Sequence, residues 1–288
     1  MNMVGYFPGC SLDGGGIELD MSVKALAAAA GMELREIEDW NCCGASAAHG
    51  LNHDLAVALP YRTLALAQKQ GLTEVLAPCA ACFSRLKGTV VRLKRNPDLV
   101  QKMREITGHE YAPSTVILNI VEFVNRLLAD GLAAKLTAPL GGWKAVAYYG
   151  CLLSRGEGII EGEDPENPVG MEAAIRAAGC DVMPWNFATE CCGGGFSMSK
   201  TEAVLGLSSA ILTEARDAGA QIIVTGCPMC HSNLDMRQKA INAAGQGLKN
   251  MPVLYLSELM GLAAGIDPKS LGLNRHFVDA MTVVPRSK

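Results

Sequence analysis

Ten of the eleven cysteines form one pattern that occurs twice along the 288 residues. In each copy, a single cysteine is followed by an adjacent pair and then by a C-x-x-C segment. The first copy consists of Cys10, Cys42, Cys43, Cys79 and Cys82. The second copy consists of Cys151, Cys191, Cys192, Cys227 and Cys230. Two such copies predict an internal duplication, with a first half at residues 1–140 and a second half at residues 141–288.

One insertion separates the two copies. Matching cysteines are 141 residues apart at Cys10 and Cys151, and 148 residues apart at Cys79 and Cys227. The extra residues fall near 157–168, a stretch rich in glycine, aspartate and proline. Because that composition is typical of a loop, the duplication leaves the cysteine-bearing elements themselves intact.

Short apolar runs alternate with helical patterns in both halves. Strands are predicted at residues 4–7, 33–37, 74–77, 145–149, 181–184 and 221–225, and helices at 19–30, 54–70, 171–178 and 201–218. Another apolar run followed by a helix comes after each C-x-x-C segment, at residues 116–131 and 253–265. This order implies βαβ units, so we predict an α/β fold of two Rossmann-like halves with parallel sheets. Each cysteine group then follows the carboxyl ends of strands, where open parallel sheets bind ligands.

Composition and charge exclude several classes of function. A hydrophobic content of 49% is typical of a well-buried globular protein rather than of a disordered chain. The formal net charge of -4, without a long run of lysine and arginine, argues against binding to nucleic acid or to anionic lipid. No apolar stretch is long enough to span a bilayer, and no secretory signal opens the sequence. We therefore expect a cytoplasmic protein.

The cysteines call for metal or redox chemistry. An odd number of cysteines in a large chain without an export signal argues against a disulfide framework. A thioredoxin-like site would use Cys79 and Cys82 but would leave the other three cysteines of that copy unexplained. Structural zinc needs four ligands, whereas each copy offers five thiols, two of them adjacent. Soft thiolates in this number favour an iron–sulfur site, although the usual ferredoxin cysteine run is absent.

Several segments together resemble one known family. They are FPGC at residues 7–10, WNCCG at 40–44, DPENP at 164–168, CCGG at 191–194, CPMCH at 227–231 and LGLNRHF at 271–277. This pattern resembles the cysteine-rich CCG-domain family, and within it the B-type subunits of heterodisulfide reductases, including those of sulfur-oxidising complexes. The resemblance extends over essentially the whole chain.

The resemblance implies two noncubane [4Fe–4S] clusters, each held by the five cysteines of one copy. It further implies that the clusters face each other and split a disulfide between them, or act on a sulfane sulfur that a carrier can hold. Partners would be a small iron–sulfur protein like the C-type subunits of such reductases and a flavoprotein like their A-type subunits. The alternative is a non-catalytic electron-transfer subunit of a lactate-, glycolate- or quinone-linked oxidoreductase.

Differences between the copies predict that the two sites are not equivalent. Ala45 follows the first CCG, where the second copy has a further glycine, and Phe83 stands where the second copy has His231. His231, next to Cys230, is a candidate proton donor to a departing thiolate. The alternative is that it only hydrogen-bonds a carbonyl or a helix end. Cys180 lies outside the repeat and is predicted to be a buried, inert thiol.

Overall fold

The apolar runs form two four-stranded parallel sheets in a computed structural model, which describes residues 2–45, 47–155, 164–246 and 250–282. The first sheet contains β1 (Asn2–Tyr6), β2 (Met32–Glu36), β3 (Glu74–Leu76) and β4 (Val116–Leu118), in the order β2-β1-β3-β4. The second contains β5 (Lys144–Tyr148), β6 (Asp181–Val182), β7 (Ile222–Thr225) and β8 (Val253–Tyr255), in the order β6-β5-β7-β8. The identical strand order in the two sheets confirms the predicted duplicated α/β fold.

The register of the strands is equivalent in the two sheets. In the first, Gly5 pairs with Val75 across β1 and β3. In the second, the corresponding residues Val146 and Ile223 pair across β5 and β7, and all four residues of β7 are buried. Strands that are covered on both sides are continuous apolar runs, which is why β7 lacks alternation.

Helices connect the strands in both halves. The first half has α1 (Gly9–Leu12), α2 (Ile17–Ala30), α3 (Ala48–Leu51), α4 (His53–Lys69), α5 (Ala80–Arg95), α6 (Pro97–Thr107) and α7 (Ile120–Ala129). The second half has α8 (Gly150–Ser154), α9 (Gly170–Ala177), α10 (Thr201–Asp217), α11 (Pro228–Met236), α12 (Gln238–Ile241) and α13 (Leu256–Ala263). Among the described residues, no helix combines the length and apolarity needed to cross a bilayer.

The same local interaction starts the last helix of each half. The Glu122 carboxylate accepts a hydrogen bond of 2.8 Å from the Asn119 backbone N–H at the start of α7. Glu258 does the same at 2.8 Å for the Tyr255 N–H at the start of α13. These carboxylates satisfy N–H groups that have no partner inside the helix. The glutamates in the two matching segments therefore have one shared structural role.

The two halves pack on each other reciprocally. Helix α2 of the first half contacts α13 of the second, and α7 of the first contacts α9 of the second. At the α2–α13 contact, the buried hydroxyls of Ser22 and Ser257 are 2.7 Å apart, and Ser22 also donates to the Leu19 carbonyl. Because each half uses corresponding elements in these contacts, the packing has the character of an isologous dimer interface.

Replacing Ser22 by alanine should lower the free energy of unfolding by about 1–3 kcal/mol, because the Ser257 hydroxyl would remain buried without its partner. Urea denaturation followed by circular dichroism measures the change. In the double variant Ser22→Ala/Ser257→Ala the orphaned hydroxyl is gone, so the loss should be smaller than the sum of the single losses. Strict additivity would contradict a hydrogen bond between the halves.

The predicted inserted loop at residues 157–168 is described only from residue 164 onward. Residues 157–163 lie outside the described part of the chain.

Candidate metal centres

Strand ends position the five cysteines of the first copy. Cys10 lies in α1, directly after β1, and Cys42 and Cys43 lie in the loop after β2. Cys79 follows β3 and precedes the first residue of α5, and Cys82 lies in the first turn of that helix. Because parallel strands end at the same edge of the sheet, three separate connections bring their thiols to one place.

The sulfur atoms of this first site are close together. Cys10 Sγ is 3.8 Å from Cys42 Sγ, and Cys43 Sγ is 3.2 Å from Cys82 Sγ. Cys79 completes the group through its hydrogen bond with Cys82. All five predicted residues of the first copy therefore meet at one site.

The second site repeats this arrangement. Cys151 Sγ is 4.0 Å from Cys191 Sγ, and Cys192 Sγ is 3.4 Å from Cys230 Sγ. Cys227 precedes α11 as Cys79 precedes α5, and its charge contributes with that of Cys192 to the raised pKa of Cys151. The structure thus brings together the five predicted residues of the second copy as well.

Two glycines make room for the sulfurs. Gly9 and Gly150 have φ angles of +65° and +63°, a region that side chains other than glycine rarely adopt. A β-carbon on Gly9 would lie 2.8 Å from Cys82 Sγ, and one on Gly150 would lie 2.9 Å from Cys230 Sγ. The glycine before the first cysteine of each copy is therefore required by the sulfur site itself.

Backbone N–H groups point at the exposed sulfur of each adjacent pair. Gly44 N is 3.5 Å from Cys42 Sγ, and Gly193 N is 3.3 Å from Cys191 Sγ. Both glycines have positive φ angles, +72° and +79°, which turn the amide toward the sulfur. Amide donors of this kind stabilise a thiolate and tune the potential of a cluster bound to it. This explains the glycine of the CCG motif.

The thiols within each site differ in acidity. Burial is the main cause that raises the pKa of Cys10 to about 11 and the pKa of Cys151 to about 12. A hydrogen bond from a neighbouring thiol lowers the pKa of Cys79 and of Cys192 to about 7. Protons shared among close sulfurs are what a bound metal replaces, so metal binding would release them.

The donor set fits an iron–sulfur cluster better than a single ion. Five thiols exceed the four ligands of tetrahedral zinc, and adjacent cysteines are poorly suited to chelating one ion. In both sites the buried thiols lie behind more accessible ones, since Cys10, Cys42 and Cys191 are exposed and Cys151 is partly so. A group larger than one ion, enclosed on one side and accessible on the other, matches this arrangement.

The two sites lie on either side of the interface between the halves. Helix α1, which carries Cys10, contacts α11, which carries Cys230. Reciprocally, α8 with Cys151 contacts α5 with Cys82. The same pseudo-symmetry that joins the halves therefore places the two thiol groups close to the shared interface.

Two residues that the sequence reasoning did not single out make the sites electrically different. A hydrogen bond from Cys82 and, more weakly, the positive charge of Arg85 lower the pKa of Cys43. At the corresponding position of the second site, the Asn233 amide donates to the Cys192 carbonyl at 3.2 Å and lies 3.6 Å from its sulfur. Each residue is the third after its C-x-x-C, about one helical turn along. This spacing places the side chain on the same helix face as the last cysteine, so it could have identified both residues from the sequence.

Cys180 and His231 lie outside the two thiol groups. Cys180 is 5% exposed, and burial raises the pKa of its thiol to about 12. The His231 ring is buried, and its Nε2 is 3.0 Å from the Val253 carbonyl oxygen, which can only accept. That bond to a carbonyl is the alternative stated from the sequence.

Iodoacetamide should leave Cys180 unmodified in the folded protein at pH 8, because both burial and a raised pKa keep the thiol protonated and inaccessible. Mass spectrometry after labelling, with a sample unfolded in guanidinium as the control, measures this. Rapid labelling of Cys180 in the folded protein would contradict its assignment as an inert core thiol.

One known family matches the chain in two separate segments. The model of the CCG cysteine-rich domain family matches residues 4–87 and 145–235. The 8-methylmenaquinol:fumarate reductase membrane anchor subunit of Wolinella succinogenes is 33% identical over 96% of each chain. The B-type subunit of the ferredoxin/F(420)H(2)-dependent CoB-CoM heterodisulfide reductase of Methanosarcina acetivorans is 26% identical, over 96% of this chain and 94% of its own.

A solved structure shares the fold. The crystal structure of a hypothetical protein from Helicobacter pylori superposes on 97% of this chain with a TM-score of 0.79 and 13% sequence identity. This chain corresponds to 52% of that one, so it spans about half of its length. Both thiol groups fall within the segments matched by the family model, one in each segment. The chain belongs to the CCG cysteine-rich domain family.

Proposed function

We propose that the chain is the iron–sulfur subunit of a heterodisulfide reductase-like complex, in which two noncubane [4Fe–4S] clusters carry out thiol–disulfide or sulfane-sulfur chemistry. The supporting observation is the pair of complete five-thiol sites that lie across one reciprocal interface. Two redox centres on either side of one interface suit a substrate with two sulfur atoms. Relatives named as B-type subunits of heterodisulfide reductases support the same assignment.

The residues of the chain have separate tasks in this proposal. The ten cysteines hold the clusters, and Gly9 and Gly150 leave room for the sulfurs beside them. When bound, each cluster supplies one electron and an iron that can accept a sulfur, so a pair matches the two-electron cleavage of a disulfide. Arg85 adds positive charge beside the first site, which favours its reduction over that of the second site.

Electrons must reach these sites through partner proteins. The sequence contains neither a ferredoxin-type cysteine run nor a dinucleotide-binding glycine motif. We propose a small iron–sulfur protein of the C type as the immediate donor or acceptor and a flavoprotein of the A type beyond it. Relatives named as B-type and D-type subunits of larger reductases support assembly into a complex.

A second candidate function is electron transfer to or from a quinone without sulfur chemistry. The observation in its favour is the 33% identity to a subunit of a menaquinol-linked fumarate reductase, which is higher than the 26% identity to the heterodisulfide reductase subunit. In this alternative, the two clusters would only conduct electrons, and the space between them would need no substrate.

Electron paramagnetic resonance of the iron-replete protein distinguishes the two functions. If the sites carry out sulfur chemistry, adding a thiol should perturb the cluster signal, because binding of the sulfur at an iron changes the surroundings of the unpaired electron. A quinol-linked electron conductor should be reduced by a menaquinol analogue and should be indifferent to the thiol. A cluster spectrum that no thiol or disulfide perturbs would refute the proposed sulfur chemistry.

A further inference from the structure

The hydroxyl group of Tyr255 is buried without a hydrogen-bond partner in the described part of the structure. Tyr255 is the last residue of β8, and its side chain is 0% exposed. Its Oη has no acceptor or donor within reach among the described residues. Burying a phenol hydroxyl unpaired costs free energy, so this hydroxyl needs a hydrogen-bond partner that the described residues do not supply.

The Tyr255 hydroxyl lies near segments that carry both thiol sites. A β-carbon on Gly16 would be 3.7 Å from Tyr255 Oη, 3.0 Å from Pro228 Cβ and 3.2 Å from the Ser11 carbonyl oxygen. Ser11 follows Cys10 and hydrogen-bonds the Cys79 thiol of the first site, and Pro228 follows Cys227 of the second site. The hydroxyl is therefore located where elements carrying the two sites meet.

The electrostatic surroundings give the same location. Burial is the main cause that raises the pKa of the Tyr255 hydroxyl, followed by the charges of Glu18 and Glu258. The next contributors are Cys227 of the second site and Cys79 of the first. Burial and these negative groups disfavour the phenolate, so the Tyr255 hydroxyl stays protonated and is available as a hydrogen-bond donor.

The Tyr255 ring is fixed by an aromatic and charged cluster. His231 stacks on it, with ring centroids 4.2 Å apart and an interplanar angle of 18°. His276 contacts His231 edge-on at 4.5 Å, and its Nε2 is 2.9 Å from Glu258 Oε1. This cluster leaves the phenol ring little freedom, so the hydroxyl cannot turn toward another acceptor.

The C-terminal segment holds the cluster in place. The Asp235 carboxylate accepts hydrogen bonds from the backbone N–H groups of Phe277 and Val278, at 2.7 and 2.9 Å. These bonds position His276 beside Glu258. The first half has Asn119 at the position of Tyr255 and Phe83 at that of His231. Of these two matching positions, only those of the second half therefore carry a tyrosine stacked on a histidine.

We propose that Tyr255 is the hydrogen-bond donor to an anionic sulfur in the space between the two sites, either a cluster sulfide or a substrate thiolate. The inference rests on the two clusters of the proposed function. A hydrogen bond to such a sulfur stabilises added negative charge and so raises the reduction potential of the cluster concerned. His231, Glu258 and His276 are positioning residues that act through Tyr255.

The variant Tyr255→Phe tests the proposal, since it removes only the hydroxyl and keeps the stacked ring. Redox titration followed by electron paramagnetic resonance is carried out without thiol and with 2-mercaptoethanol. A more negative midpoint potential without thiol identifies a cluster sulfide as the acceptor. A change confined to the signal formed with 2-mercaptoethanol identifies the thiolate. No change in either experiment would overturn the proposal.

Two further substitutions show whether an effect of Tyr255→Phe comes from the loss of this particular hydroxyl. Tyr111→Phe removes another buried hydroxyl, which lies beside Thr115 and Tyr61, and should leave both titrations at their wild-type values. Incorporation of 3-fluorotyrosine at position 255 makes the hydroxyl a stronger donor, so its effect should have the opposite sign to that of Tyr255→Phe. If 2-mercaptoethanol does not change the spectrum of the wild-type clusters, the proposed sulfur chemistry is wrong. A shift in midpoint potential in Tyr255→Phe without thiol would still support a hydrogen bond from Tyr255 to a cluster sulfide.

Discussion

Replacing Cys192 by alanine should halve the iron content of anaerobically purified protein, from about eight to about four irons per chain. Cys192 is buried at the centre of the second site, 3.4 Å from Cys230 and hydrogen-bonded by Asn233. Without its sulfur, the second site has four thiols around a space built for five, whereas the first site has no residue in common with it. Iron and acid-labile sulfide assays with an absorption spectrum measure the loss.

The natural control is Cys180→Ala, because Cys180 is equally buried but contacts neither site. This variant should keep about eight irons. Cys43→Ala should reproduce the halving at the first site, and Cys43→Ala/Cys192→Ala should abolish the brown colour. Full iron in Cys192→Ala, or an equal loss in Cys180→Ala, would contradict the assignment of five ligands to each site.

Replacing Gly150 by alanine should also empty the second site, without removing any sulfur. The new β-carbon would lie 2.9 Å from Cys230 Sγ, and the backbone has a φ angle of +63°. The left-handed backbone alone costs alanine about 1–2 kcal/mol, and the contact with sulfur adds to this cost. We expect a lower free energy of unfolding in urea and a loss of about half of the iron.

Gly15→Ala is the matched control for this substitution. A β-carbon added to Gly15 would have no neighbouring atom within 4 Å, and the residue does not need a positive φ angle. Its iron content should equal that of the wild type, and its unfolding free energy should change by less than about 0.5 kcal/mol. If Gly150→Ala binds as much iron as Gly15→Ala, a glycine beside Cys230 is not needed for cluster binding.

Much of the fold could be predicted because the repeat constrains the sequence strongly. The predicted strand at residues 221–225 corresponds to β7, Ile222–Thr225, and the predicted helix at 201–218 corresponds to α10, Thr201–Asp217. Buried parallel strands are continuous apolar runs, and long amphipathic helices keep their period, so both are readable from one sequence. The cysteine spacing then indicated which strand ends meet.

Helices α5 and α6 were not among the predicted elements. Their mean hydropathy is low, and α5 carries Arg92, Lys94 and Arg95 in its last turn. Helices that expose a broad polar face give a weak apolar signal, although Asn96 and Pro97 mark the start of α6 clearly. Local capping signals were more informative here than hydrophobicity.

The cluster around Tyr255 could not be predicted because its members are distant in sequence. Glu18, His231 and His276 come from α2, α11 and the C-terminal segment, and only the packing of the halves brings them together. His231 and His276 lie in the segments 227–231 and 271–277 that resemble the family, but nothing in either segment indicates that the two side chains meet. Periodicity indicates which face of an element is buried, but it does not identify the partner across an interface between halves.

The central claim is that the chain holds two iron–sulfur clusters, one in each five-thiol site. Quantification of iron, acid-labile sulfide and zinc in the anaerobically purified wild-type protein tests it most directly. We expect about eight irons, a similar amount of sulfide and a brown absorption spectrum. Zinc near stoichiometry in a colourless protein would contradict the claim, and with it the proposed chemistry.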